Sequence, residues 1–212
     1  MGIPGETSAA QTTGVVLAGG ASRRMGQEKA RLVIQGEPLL ARVTRLLRLA
    51  FSEVVVVGPP SVAELVPGFA VVPDTRAGQG PLAGLEAAFA ATRTPLLFVV
   101  ACDMPFLSPT LARRMTAIAL AQPDAQVIAL RSDLGVEPLH AVYRRACQPV
   151  VTALLENGER SLQALLARVR VAEVTPEDQA RGDPAGLATL NVNTPEEWRH
   201  ALLLAEAWRP PE

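Results

Sequence analysis

Short apolar runs recur along the chain, each closed by glycine, proline or charged residues, and their lengths and periods predict the elements. Val15 to Ala18 stops at Gly19-Gly20, as a buried strand entering a loop does. Val54 to Val57 is β-branched throughout and ends at Gly58-Pro59-Pro60, Phe69 to Val72 ends at Pro73-Asp74, and Leu96 to Ala101 delivers Cys102-Asp103 at its C-terminal end. Each reads as a further buried strand, and Val127 to Leu130, Leu139 to Tyr143 and Val169 to Val174 extend the set. Between them the period becomes helical. Glu37 to Ala50 places Leu39, Leu40, Val43, Leu46, Leu47 and Ala50 on one stripe, with arginines on the other side. Pro81 to Ala91 is an alanine-rich helix. Ser108-Pro109 is an N-cap followed by proline in the first turn of a helix running to Ala121. Arg145 to Glu156 and Ser161 to Ala167 predict two more helices, and Thr194-Pro195-Glu196-Glu197 is a capping box opening the last one. Glu177 to Gly186, rich in charge, glycine and proline, predicts a mobile loop.

Continuous apolar strands alternating with helices predict an α/β fold. The expected form is Rossmann-like, with a mostly parallel sheet and helices on both faces. No repeat, low-complexity tract or linker interrupts it, so we expect a flexible tail over residues 1–12 and a single domain over 13–212. In such folds ligands collect beyond the C-terminal ends of the strands. Three loops fall there: after Ala18, after Val72 and after Ala101.

Composition narrows the class of function. With 212 residues, 49% hydrophobic and 19% charged, the chain is globular and long enough for a sizeable core. The 20 Lys+Arg against 21 Asp+Glu leave a formal charge of -1, so no global basic field gathers nucleic acid. Cys102 and Cys147 have no paired spacing, which argues against a disulfide framework and a thiolate metal site. Reduced thiols and a cytoplasmic setting are expected. The first residues lack a signal peptide's basic start and apolar stretch, and no apolar run is long enough to span a bilayer. Neither nucleic acid nor membrane is expected as a partner.

Candidate chemistry concentrates in the loop after the first strand, Leu17-Ala18-Gly19-Gly20-Ala21-Ser22-Arg23-Arg24-Met25-Gly26-Gln27-Glu28-Lys29. Glycines let the backbone turn sharply and approach a phosphate, while Arg23, Arg24 and Lys29 can neutralise its charge. Neither the Walker pattern nor the dinucleotide G-x-G-x-x-G is present. A lone glycine pair would suggest a solvated loop; three basic residues directly after a buried strand favour an anion site. Asp103, at the rim of an apolar strand, suits a magnesium ion held by one carboxylate and substrate phosphates, and equally suits a turn cap before Met104-Pro105. The phosphate loop tips the choice toward metal. Asp74 could hold a ribose hydroxyl, a base edge or a metal-bound water, although on residue type alone a turn role is simpler.

Together these residues resemble the molybdenum cofactor guanylyltransferases, within the sugar-nucleotide-type nucleotidyltransferases. The matching segments are Leu17 to Lys29, Gly80-Pro81-Leu82-Ala83-Gly84, Asp103-Met104-Pro105-Phe106, Glu137-Pro138-Leu139-His140-Ala141-Val142-Tyr143 and Asn191-Val192-Asn193-Thr194-Pro195, in order over most of the chain. The resemblance implies transfer of GMP from GTP to the terminal phosphate of molybdenum-molybdopterin, giving molybdopterin guanine dinucleotide and pyrophosphate, with Mg2+ as cofactor. It implies Arg24, Lys29 and Asp103 as the catalytic set and Asp103 as the metal ligand. Leu17, Ala18, Gly19, Gly20, Lys29, Asp74, Gly80, Pro81, Leu82 and Asp103 would bind the nucleotide, and Asn191 and Asn193 would approach the reacting phosphates. His140 and Tyr143 could face the acceptor pterin, while on residue type the plainer reading of His140 is a strand residue that packs or faces solvent. Cys102 reads as a small buried residue, Trp198 and Trp208 as packing in the last helix, and Arg113 and Arg114 as a solvated helix face. Molybdoenzymes or their chaperones are possible partners. One departure is Val57-Gly58-Pro59-Pro60, where some members of the family carry an asparagine.

A phosphate nucleophile is already anionic near neutral pH, so no general base is required and charge stabilisation carries the rate. The alternatives are a cytidylyltransferase acting on the same cofactor with CTP, a sugar-phosphate nucleotidyltransferase, or a non-catalytic molybdopterin carrier.

Overall fold

A computed structural model describes residues 11–19, 28–74, 76, 78–132 and 135–209. Its strands are β1 (Thr12–Leu17), β2 (Val33–Ile34), β3 (Glu37–Pro38), β4 (Glu53–Val57), β5 (Ala70–Val72), β6 (Leu96–Ala101), β7 (Val127–Ser132), β8 (Gly135–Arg144) and β9 (Val171–Glu173). Its helices are α1 (Leu39–Arg48), α2 (Pro81–Ala91), α3 (Pro109–Ala121), α4 (Gln148–Glu156), α5 (Leu162–Leu166), α6 (Pro176–Gly182) and α7 (Pro195–Ala207). Seven strands form one sheet in the order β5-β4-β1-β6-β8-β7-β9, and only β8 runs against the others. The predicted α/β, mostly parallel sheet with helices on both faces is the observed fold. Among the described residues no helix is long and apolar enough to cross a membrane.

The continuous apolar strands have a direct structural cause. Successive side chains point to opposite faces, so a strand covered on both sides must be apolar at every position. In β6, Leu96, Phe98 and Val100 enter one core, which α1, α3 and α7 cover. Leu97 and Val99 enter the other, which α2, α4 and α5 cover. β1 lies between β4 on one side and β6 on the other, so the chain reverses its winding there and opens a crevice past their C-terminal ends.

Several boundaries differ from the sequence reading. Thr12, assigned to the tail, is fully buried and begins β1; residues 1–10 lie outside the described residues. Glu37 and Pro38 belong to the β2–β3 hairpin rather than to the first helix. Its turn residues Gln35 and Gly36 both have positive φ (53° and 80°), and a helical stripe does not register that constraint. Arg42, assigned to the solvated side of α1, is buried. Its Nε donates to the Pro105 carbonyl at 2.8 Å and its guanidinium lies 5.1 Å from the Trp208 ring centre.

The expected mobile loop over Glu177 to Gly186 is also corrected, because most of it is helix α6. The Thr175 hydroxyl caps α6 by accepting from the Asp178 amide at 3.1 Å, and Arg114 of α3 pairs with Asp178. Arg113 donates to the Leu49 carbonyl at 3.0 Å, so both α3 arginines tether elements rather than simply facing solvent. At the end of α6 the Ser108 hydroxyl donates to the Gly182 carbonyl at 2.6 Å. Charge, glycine and proline here mark a short capped helix docked on α3.

Candidate functional site

The crevice at the end of β1 and β6 holds the polar groups that the apolar strands carry to it. The Cys102 amide donates to the Leu17 carbonyl at 3.1 Å and the Ala18 amide to the Val57 carbonyl at 2.8 Å, so the ladder continues one residue past the strands. Gly19 and Asp103 therefore leave the sheet side by side. Gly20 and Arg24 lie outside the described residues.

Lys29 opens a short 3-10 turn (Lys29–Arg31) and returns its ammonium to this point. Nζ donates to Asp103 Oδ2 at 2.6 Å and to Asn193 Oδ1 at 2.7 Å. The Lys29 and Asp103 side chains are 17% and 15% exposed, so their ion pair is largely shielded from water and stronger than a surface pair. Asn193 reaches this position through the capping box of α7. Glu197 Oε2 accepts from the Asn193 and Thr194 amides at 2.6 and 3.0 Å, and the Thr194 hydroxyl accepts from the Glu197 amide at 3.1 Å. The Val192 amide donates to the Asp103 carbonyl at 3.0 Å, fastening the Asn191–Asn193 segment to the end of β6. Residues 74 and 164 positions apart from Lys29's own place in the chain thus meet at one ammonium.

Asp103 Oδ1 is buried and makes no hydrogen bond among the described residues. An orphaned carboxylate oxygen is unfavourable unless something else satisfies it. A hard divalent cation would, so the residues present fit one. Among the described residues no cluster of three or more His, Cys, Asp or Glu side chains forms, so phosphate and water oxygens would complete such a shell.

The other candidate residues lie after β5 and at the start of α2. Asp74 follows β5, and its Oδ1 accepts from the Arg76 amide at 2.9 Å. Gly80 caps α2 with φ of +80°, and a Cβ there would lie 2.8 Å from the Arg160 carbonyl oxygen. Only glycine suits both conditions. Pro81 occupies the first turn of α2, where its missing amide is no loss. Leu82 is fully buried in the core and its amide donates to the Arg160 carbonyl at 3.4 Å, so its side chain packs rather than faces a ligand. Gly84 allows the Leu17 side chain to approach, with its Cδ2 only 3.2 Å from where a Cβ would stand.

The expectation that His140 and Tyr143 face the acceptor is corrected, because both are fully buried. β8 carries a bulge: Ala141 pairs with Ala129, but Glu137 pairs with the next residue, Leu130. Pro138, Leu139 and His140 are therefore extra to the ladder, and His140 takes φ of +106°. Its ring packs edge-on to Phe98 with centroids 5.1 Å apart. Among the described residues neither ring nitrogen makes a well-formed hydrogen bond, although the Ala188 backbone faces the ring. Burial lowers its pKa to about 4, so the ring is neutral at pH 7. The Tyr143 hydroxyl donates to the Pro138 carbonyl at 2.6 Å and braces the bulge from inside. Burial likewise raises the Tyr143 phenol above its usual range.

Glu137 was missed as a candidate in its own right. The bulge leaves it half-buried, with Oε1 accepting from the Leu139 amide at 3.0 Å. Burial first, and the negative charge of Asp103 second among the raising causes, push its pKa up. Only the register shift brings these carboxylates into the same field, and a strand pattern contains no sign of it.

A doubly wound α/β sheet with a lysine–carboxylate–amide constellation at its switch point has the architecture of a nucleotide-binding α/β protein. A profile described as MobA-like NTP transferase domain matches residues 14–174, and the chain belongs to that family. A Pelotomaculum thermopropionicum protein named a probable molybdenum cofactor guanylyltransferase is 39% identical over 92% of this chain and 94% of its own. A Desulfosudis oleivorans molybdenum cofactor guanylyltransferase is 29% identical over 93% of this chain and 97% of its own. The crystal structure of molybdopterin-guanine dinucleotide biosynthesis protein A from Archaeoglobus fulgidus superposes with a TM-score of 0.80 at 24% identity, covering 92% of this chain and all of that one. At that identity the superposition speaks for the fold.

Proposed function

We propose that this chain transfers GMP from GTP to the terminal phosphate of molybdenum-molybdopterin, releasing pyrophosphate and forming molybdopterin guanine dinucleotide. The observation that carries the reading is the meeting of Lys29, Asp103 and Asn193 at the switch point, supported by relatives named for this activity. Leu17, Ala18, Gly19 and Gly20 would hold the nucleotide through their backbone, with Asp74, Gly80 and Pro81 on its far side. Asn191 and Asn193 would present amides to the reacting phosphates. Arg24 would add charge from the glycine loop.

The acceptor phosphate needs no base, so the work of the site is placement and charge. Lys29 neutralises phosphate oxygens as a point charge. Asp103 would hold Mg2+ through Oδ1, and the ion would offset negative charge gathering on the phosphate under attack. Lys29 keeps the Asp103 carboxylate compensated, so this shielded acid does not carry an unpaired charge. Delivery to molybdoenzymes or their chaperones, in the cytoplasm, completes this reading.

The test is pyrophosphate release by purified protein with Mg2+ and molybdenum-loaded molybdopterin, comparing GTP, CTP, ATP and UTP. Release with GTP alone is expected. Preference for CTP would make the chain a cytidylyltransferase with the same site. Tight cofactor binding without release from any nucleotide would make it a carrier.

A further inference from the structure

The loop that carries Asp74 is fastened to the fold through a residue that touches neither nucleotide nor acceptor in the reading above. The Arg76 amide orients Asp74 by donating to its Oδ1 at 2.9 Å. Arg76 is in turn held by its guanidinium. Nε donates to Glu86 Oε2 at 2.8 Å, and a second nitrogen approaches Glu86 Oε1 at 3.5 Å. Glu86 lies in α2, the helix that begins at Gly80-Pro81, and its side chain is only 17% exposed. Its Oε1 also accepts from the Thr152 hydroxyl of α4 at 3.1 Å. One carboxylate thus ties the loop after β5 to two helices of the same core.

We propose that Glu86 is a positioning residue for the nucleotide site: it holds Arg76, and Arg76 holds the Asp74 carboxylate in its binding orientation. The proposal rests on Asp74 being a nucleotide contact. The physical argument is one of populations. The Arg76 side chain must give up several rotors to hold one geometry. A shielded, two-point contact with a carboxylate offsets that entropy, as a solvated arginine would not. Without the tether the loop spends less time with Asp74 in place, and apparent affinity falls by the same fraction. Lys29, Asp103 and Asn193 sit on other elements, so charge stabilisation at the reacting phosphates is untouched. The signature is therefore a change in KM without a change in kcat.

The test is steady-state kinetics with GTP varied at saturating acceptor for four variants: Glu86→Gln, Arg76→Met, the double variant and Asp74→Ala. Glu86→Gln keeps the size of the side chain and removes its charge. It is expected to raise KM for GTP about tenfold, as a fall in the competent fraction to about a tenth requires, with kcat within about twofold. Arg76→Met should do the same, and the double variant should be no worse than either single one, because both break one tether. A KM unchanged in Glu86→Gln while Asp74→Ala raises it overturns the proposal, and so does a fall in kcat at constant KM. If Asp74→Ala leaves KM unchanged, the reading of Asp74 fails and the proposal fails with it. Should Glu86→Gln not fold, Arg76→Met breaks the same tether from the loop side, and an unchanged GTP affinity there overturns the idea equally.

Discussion

Replacing Lys29 with methionine removes a charge and keeps the length of the side chain, and its consequences separate stability from catalysis. In the wild-type site Nζ satisfies Asp103 Oδ2 at 2.6 Å, while Asp103 Oδ1 has no hydrogen-bond partner among the described residues. The variant would leave a carboxylate that is 15% exposed with neither oxygen bonded to the ammonium. Losing a charge-assisted hydrogen bond in a shielded site costs about 2 kcal/mol, less than the full penalty for a wholly buried pair. For a chain of this size that lowers Tm by about 4–8 °C. Turnover should fall about 10²–10³-fold, as expected when a preorganised charge facing the transition state is lost. Adding Asp103→Asn to the same chain removes the stranded charge. The double variant should regain about 1–2 kcal/mol relative to the sum of the singles and yet remain inactive. Calorimetry and pyrophosphate release on the four proteins read the two effects apart. Lys29→Met turnover within about threefold of wild type would refute the placement of this ammonium at the phosphates, and a double variant with additive stability losses would refute the coupling.

Other consequences can be checked more simply. His140 is neutral in the fold, with its pKa lowered to about 4 from 6.5, so the unfolded chain binds more protons between those values. Unfolding free energy should therefore drop by up to about 3 kcal/mol as pH falls from 6.5 to 4, and His140→Leu should flatten that slope; a slope unchanged in the variant would locate the titration elsewhere. At Gly182 a Cβ would stand 2.7 Å from Leu111 Cα. Because backbone cannot swing aside, Gly182→Ala should destabilise by about 1–3 kcal/mol and loosen α6, read as a lower urea midpoint; an unchanged midpoint would show that α6 is not docked as described. Cys102 and Cys147 are buried, and burial raises each thiol to about 12. Neither should react with iodoacetamide at pH 8 until the protein unfolds, and rapid native labelling would contradict their placement.

Much of this protein was legible in its residue order, for an identifiable reason. Period and run length are local properties, and burial on both faces of a parallel strand leaves an unbroken apolar run such as Leu96 to Ala101. Caps are local too, so the start of α7 at Thr194-Pro195 could be read directly. The places where Gly19 and Asp103 leave the sheet followed from strand ends alone. What local pattern does not contain is the third dimension of pairing. The bulge in β8 takes His140 out of the ladder at positive φ and brings Glu137 into the field of Asp103, and it exists only as a mismatch between two strands. Arg42 looks like one more surface arginine of α1 until Trp208 and the Pro105 carbonyl close over it. Glu86 is an ordinary helix residue in the sequence. It ties the loop after β5 to the core only because α2, α4 and that loop converge on one carboxylate. Lys29 and Asn193 could each be suspected alone; their shared contact is a product of the winding of the chain about β1, which brings distant segments to one switch point.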